Sequence, residues 1–238
     1  MNVPKKIHIY SPKAQKGMGA VIIFTGGGYS HRAPHEAEPY ALKLNEMGIW
    51  AFVVDYSVAP DKYPAPLDDG IDAIQYARKN AKVLGFDENK IAVMGSSAGG
   101  HLATMLATLS SNADRPNAQI LCYPVTDIES HRGSYENLLR ENIAKHNDFS
   151  PISRANESTP PAFIWHTSSD DIVDIKGTYR YATRLSELGV PVEMHIYPVG
   201  GHGLGLANGL YGRDTEPYVQ RWINDLECWL KLIGWINE

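Results

Sequence analysis

Residues 91–103 read IAVMGSSAGGHLA: an apolar run of strand type stops at Gly95-Ser96-Ser97-Ala98-Gly99 and passes straight into the helix-compatible stretch HLATMLATL at 101–109. The order strand, sharp turn, helix is the setting in which G-x-S-x-G presents a serine as a nucleophile. Ser97 is its middle residue. Small residues on either side allow the close backbone approach that the turn demands, and the starting helix turns free N–H groups and its positive end toward the hydroxyl.

Outward from this elbow, short apolar runs alternate with longer segments of helical period, the pattern of a parallel sheet covered on both faces. Seven strands are expected at 6–10, 20–25, 49–56, 90–95, 119–123, 162–166 and 192–197, those after the first joined by right-handed crossovers. Helices are expected at 37–47, 67–84 and 175–188, stopped by Gly48, Gly85 and Gly189. A last helix is expected at 216–233, with Tyr218, Trp222, Leu226, Trp229, Leu230 and Ile233 along one core-facing stripe. The whole, 1–238, reads as a single α/β domain. Residues 124–161 break the rhythm with charge and turn residues, with one helix expected at 134–145. They follow the carboxyl end of a central strand, where open α/β sheets bind ligands, so they read as a small cap insertion.

A serine hydroxyl needs an imidazole to take its proton and a carboxylate to orient that imidazole. On this architecture the chain order is serine, acid, histidine. His202, in the glycine loop Gly200-Gly201-His202-Gly203 after the last strand, is the expected base. His101, His166 and His195 read as structural or solvated. The acid is sought in TSSDDIVD, residues 167–174, beyond the strand at 162–166. Asp170 is preferred, with Asp171 second and Asp127 of the cap third; Asp174 reads as a helix cap, and Ile172 and Val173 as packing against the core. Gly26-Gly27-Gly28 after the strand at 20–25 exposes backbone N–H groups, so Gly27 or Gly28 together with Ala98 is expected to form an oxyanion hole.

The composition narrows the classes. A formal net charge of −5 with scattered Lys and Arg argues against nucleic acid and anionic membrane. No stretch suits a signal peptide or a membrane span, which predicts a cytoplasmic protein. Cys122 and Cys228 have no ligand spacing and read as buried thiols. Asp68, Asp69 and Asp72 open a helix and complement its dipole. No metal and no cofactor are expected.

With serine, acid, histidine and glycine loop placed, the chain resembles the α/β-hydrolases, and among them the small esterases that include acetyl esterases and acetylxylan esterases. The resemblance covers nearly the whole chain and is carried by FTGGGYSHRAPHEAEPYALKLNEMGIWAFVVDYSVAP, YPAPLDDGIDAIQYARKN, KIAVMGSSAGGHLA, TPPAFIWHTSSDDIVD and GVPVEMHIYPVGGHGLGLA. It implies Ser97 as nucleophile, Asp170 as acid, His202 as base, and Gly27 or Gly28 with Ala98 as oxyanion donors. Two departures stand out. Ser57 follows Tyr56 where relatives often carry Arg, and the amino terminus is short for the first antiparallel strand of an eight-stranded sheet.

The expected activity is that of a serine esterase acting on short acyl esters through an acyl-enzyme, with O-acetyl groups of carbohydrates favoured. A general carboxylesterase and a prolyl oligopeptidase-type peptidase are the alternatives, although 238 residues leave no room for the large extra domain of the latter. The expected partner is a small-molecule or oligosaccharide ester, with a homo-oligomer left open.

Overall fold

The structure, a computed structural model, describes residues 3–14, 18–109, 111 and 113–237. Its seven-stranded sheet comprises β1 (Ile7–Tyr10), β2 (Ala20–Phe24), β3 (Trp50–Val54), β4 (Ile91–Ser96), β5 (Ala118–Cys122), β6 (Ala162–Thr167) and β7 (Val192–Tyr197). They lie in the order β1-β3-β2-β4-β5-β6-β7, and only the β1–β3 ladder is antiparallel. Every residue of β2, β4, β5 and β6 is buried, which explains why these strands read as unbroken apolar runs rather than as alternating ones.

Helices α1 (Glu38–Glu46), α2 (Ala65–Leu84), α3 (Ala98–Ala107), α4 (Arg132–Leu139), α5 (Pro151–Arg154), α6 (Ile175–Glu187) and α7 (Trp222–Leu232) complete the chain. The sheet separates two cores. Ile22 and Phe24 of β2 pack with residues of α2, α3 and α6, while the alternate residues Val21 and Ile23 pack with Tyr40 and Leu44 of α1 and Trp222 and Leu226 of α7. The chain leaves β2 toward β3 on one side and then returns to place β4 on the other. The strand order therefore reverses between β2 and β4, and the loops beyond their carboxyl ends hold the glycine run and Ser97.

Several expectations shift. The last helix starts at Trp222 rather than at 216, because residues around Pro217 form turns tied back by the Glu216 N–H to the Ala207 carbonyl. Tyr218 consequently lies outside the core stripe, 54% exposed and edge-on to Tyr197. Cys228 is exposed rather than buried, offset from the Trp222, Leu226, Trp229 and Leu230 face of α7, whereas Cys122 is buried. In the insertion, the expected helix at 134–145 is α4, stopped by Arg140 at φ 52° and continued as the 3-10 segment Arg140–Phe149. Asp69 does more than complement a dipole. It accepts from the Ser57 N–H at 2.7 Å and pairs with Lys6 at 2.7 Å, so Lys6, the residue before β1, supplies a cation beside Ser57.

Candidate active site

Ser97 sits between β4 and α3 at φ 53°, ψ −118°, a conformation costly for a residue with a side chain. Its surroundings hold it there: the Ser97 N–H donates to the Cys122 carbonyl at 3.0 Å, and the Ser97 carbonyl accepts from Val125 at 3.0 Å and His101 at 3.1 Å. Gly95 and Gly99 face each other inside the turn. A Cβ on Gly95 would run into the Gly99 carbonyl, and one on Gly99 into the Phe24 carbonyl, so the spacing G-x-S-x-G is a steric requirement of this bend.

Ser97 Oγ lies 2.9 Å from His202 Nε2, and His202 Nδ1 lies 2.7 Å from Asp170 Oδ2. The carboxylate fixes the tautomer. It accepts from Nδ1–H, leaving Nε2 unprotonated to accept from the serine hydroxyl. His202 arrives on the loop after β7, whose backbone is held by Arg213 donating to the His202 and Gly203 carbonyls at 2.7 and 2.8 Å.

Asp170 is saturated with donors. Its Oδ2 accepts a second imidazole, His166 Nε2 at 3.0 Å, and its Oδ1 accepts the Ile172 and Val173 N–H groups at 2.9 Å each. Burial alone would push this carboxyl up, but the hydrogen bonds from His166 and His202 outweigh it and hold the group well below the usual carboxylate range. Of the two other acids considered, Asp171 is exposed, and Asp127 is engaged by Arg180 at 2.6 Å. Asp174 caps α6 by accepting from the Lys176 N–H. Val173 is buried as expected; Ile172 is instead 53% exposed and borders the cleft, because the loop turns outward after Asp170.

The glycine loop faces the serine. The Gly26 N–H is taken by Glu36 Oε2 at 2.5 Å, whereas no protein acceptor among the described residues takes the N–H of Gly27, Gly28 or Ala98. Gly27 has φ 123°, and a Cβ there would meet the His31 carbonyl. Asn137 of α4 donates to the Gly28 carbonyl at 2.8 Å, joining the insertion to this loop.

Ser97 and His202 open into a cleft of about 340 Å³ bordered by His31, His131, Asn137, Ile172 and Arg213. His131 caps α4. Its Nδ1 accepts from the Ser134 N–H, which places the ring proton on Nε2, and burial and the neighbouring His202 lower its pKa. Among the described residues, no cluster of His, Cys, Asp and Glu could hold a metal ion, and no helix is long and apolar enough to cross a membrane.

Sequence reasoning missed Glu36 as a partner of the glycine loop, and treated His166 as structural without seeing that it shares the carboxylate of Asp170. The four-residue spacing of His166 and Asp170 across a strand end was the available signal for the second. Glu36, beside the equally acidic Glu38 in APHEAEP, carried none.

Residues 21–206 match the family described by the alpha/beta hydrolase fold, and the chain belongs to that family. A solved structure of an acetyl ester-xyloside bifunctional hydrolase from Caldicellulosiruptor lactoaceticus superposes with a TM-score of 0.88 at 40% identity, covering 97% of this chain and 89% of that one. An acetylxylan esterase of Xylanibacter ruminicola is 32% identical over 224 residues, 90% of this chain and 45% of that protein. Endo-1,4-beta-xylanase B of Butyrivibrio fibrisolvens is 32% identical over 207 residues, 79% of this chain and 33% of that protein. The chain thus spans less than half the length of these two curated relatives.

Proposed function

We propose that this protein is a serine esterase that cleaves short acyl esters, with O-acetyl groups on sugars or oligosaccharides as substrates. The observation that carries the reading is the hydrogen-bonded series Ser97, His202, Asp170, set beside two N–H donors on one loop and a third at the start of α3. In this mechanism His202 Nε2 takes the Ser97 proton as Oγ attacks the ester carbonyl. The oxyanion is met by the Ala98 N–H and by Gly27 or Gly28, and Asp170 stabilises the imidazolium that forms. His202 then protonates the departing alcohol. Water, deprotonated by the same imidazole, attacks the acyl-enzyme, and the carboxylate product leaves Ser97 free.

The substrate class rests on the cleft and on the relatives. His31, His131, Asn137 and Arg213 offer hydrogen bonds to a hydroxyl-rich alcohol, and residues 124–161 act as the cap that carries two of them. Ile172 is the one large aliphatic side chain on the rim named above, so a long acyl chain finds little wall; each methylene would gain about 0.8 kcal/mol only against an apolar surface. The names of the acetylxylan esterase and of the acetyl ester-xyloside hydrolase point the same way.

The test is a hydrolysis panel. Aryl esters are expected to give the highest kcat/KM between acetyl and butyryl and a steep fall by octanoyl, and acetylated xylo-oligosaccharides are expected to release acetate. Efficient turnover of octanoyl esters would refute the short-acyl assignment. Aryl acetate hydrolysis with no acetate from any acetylated sugar would leave a general carboxylesterase.

A further inference from the structure

Glu36 is 2% exposed, and among the described residues neither Lys nor Arg supplies any of its hydrogen bonds or ion pairs. Burying a carboxylate is costly unless its oxygens are hydrogen-bonded, so its partners show what that burial achieves. Oε2 accepts from the Gly26 N–H at 2.5 Å, one residue before the candidate oxyanion donors. Oε1 accepts from the Tyr123 hydroxyl at 2.6 Å, with His35 Nε2 at 3.4 Å. Both of these partners lead to the other loop. The Tyr123 oxygen accepts from the Gly205 N–H at 3.0 Å, its ring lies edge-on to His202 at 5.1 Å, and His35 donates to the Gly203 carbonyl at 2.9 Å. One carboxylate therefore joins the glycine loop to the histidine loop beneath Ser97.

We propose that Glu36 is a positioning residue for the esterase reaction, fixing the Gly27 and Gly28 donors relative to His202 through Gly26 on one side and Tyr123 and His35 on the other. The proposal rests on the serine esterase reading given above. Burial alone would raise the Glu36 pKa, but the nearby His35 imidazole and the hydrogen bonds from Tyr123 and Gly26 outweigh it and hold the group below its ordinary value, so it acts as an anion at neutral pH. In Glu36→Gln one of the two oxygens becomes an NH2 group. That group cannot accept from Gly26 or Tyr123, and one loop loses its anchor.

The experiment compares wild type, Glu36→Gln and Tyr123→Phe on aryl acetate, with melting temperatures as the fold control and 1,1,1-trifluoroacetone as a probe whose serine adduct carries the oxyanion. Misplaced donors act on the transition state, so Glu36→Gln is expected to lower kcat about 10²-fold with KM within about threefold. Trifluoroacetone inhibition should weaken in parallel. Tyr123→Phe, which keeps the bond to Gly26, is expected to lose about tenfold in kcat, and it carries the test if Glu36→Gln does not fold. A folded Glu36→Gln with kcat within threefold of wild type would overturn the proposal. So would a loss of kcat with trifluoroacetone inhibition unchanged, or, where only Tyr123→Phe folds, an unchanged kcat in that variant. A wild type that hydrolyses no ester would instead remove the esterase reading on which the proposal stands.

Discussion

Replacing Asp170 with asparagine puts one carbonyl oxygen where the carboxylate has two. Oδ1 serves the Ile172 and Val173 N–H groups, so the new carbonyl is best kept there, and the amide nitrogen then faces both His202 Nδ1 and His166 Nε2. His202 escapes this clash of donors by moving its proton to Nε2, the nitrogen that must accept from Ser97. Loss of the tautomer in other triads costs about 10⁴-fold in kcat, which at about 1.4 kcal/mol per decade is roughly 5 kcal/mol of transition-state stabilisation. The second imidazole adds a consequence for stability. A buried donor left without an acceptor costs about 1–3 kcal/mol, and for a chain of this size the melting temperature should fall by roughly 2–12 °C. Steady-state kinetics on aryl acetate with thermal melts of Asp170→Asn and Asp171→Asn measure both effects. A kcat for Asp170→Asn within tenfold of wild type, or a larger loss in Asp171→Asn, would show that Asp170 does not orient His202.

Two further predictions concern pH. Asp170 is held well below the usual carboxylate range, so kcat/KM should fall toward acid with a slope of one, from protonation of the base alone; a slope of two above pH 4 would show that the carboxylate titrates as well. His101 is buried, donating to the Phe149 carbonyl and accepting from Tyr29, and burial pulls its pKa down to about 4. Between that value and the unfolded pKa near 6.5 the unfolded chain binds the extra proton, so stability is full above about pH 6.5 and declines by about 3 kcal/mol as pH falls to 4. Urea midpoints of His101→Gln should lack this part of the decline; curves parallel to wild type would contradict the assignment.

What the sequence disclosed follows from how local the determinants are. The elbow was legible because its steric requirement falls within five residues, Gly95 to Gly99. The fully buried strands were legible because covering both faces of a sheet leaves an unbroken apolar run. Asp170 and His202 followed from chain order and from loops at strand ends, and the structure brings them to Ser97. Glu36 was not legible because its meaning lies in a contact with Tyr123 across 87 residues, and nothing in a polar stretch announces that one acid is buried and its neighbour is not. The same holds for the face of α7 that carries Cys228. For the start of α7, a stripe of apolar spacing extended through Tyr218 into residues that tertiary tethers hold as turns.

The central claim is that Ser97 is the nucleophile. Treating the protein with an aryl phosphonate and mapping the adduct by peptide mass spectrometry tests it most directly. One adduct per chain is expected, on Ser97, formed at a rate that falls when His202 is replaced, and no adduct in Ser97→Ala. Adduct on the adjacent Ser96, or full labelling of Ser97→Ala, would contradict it.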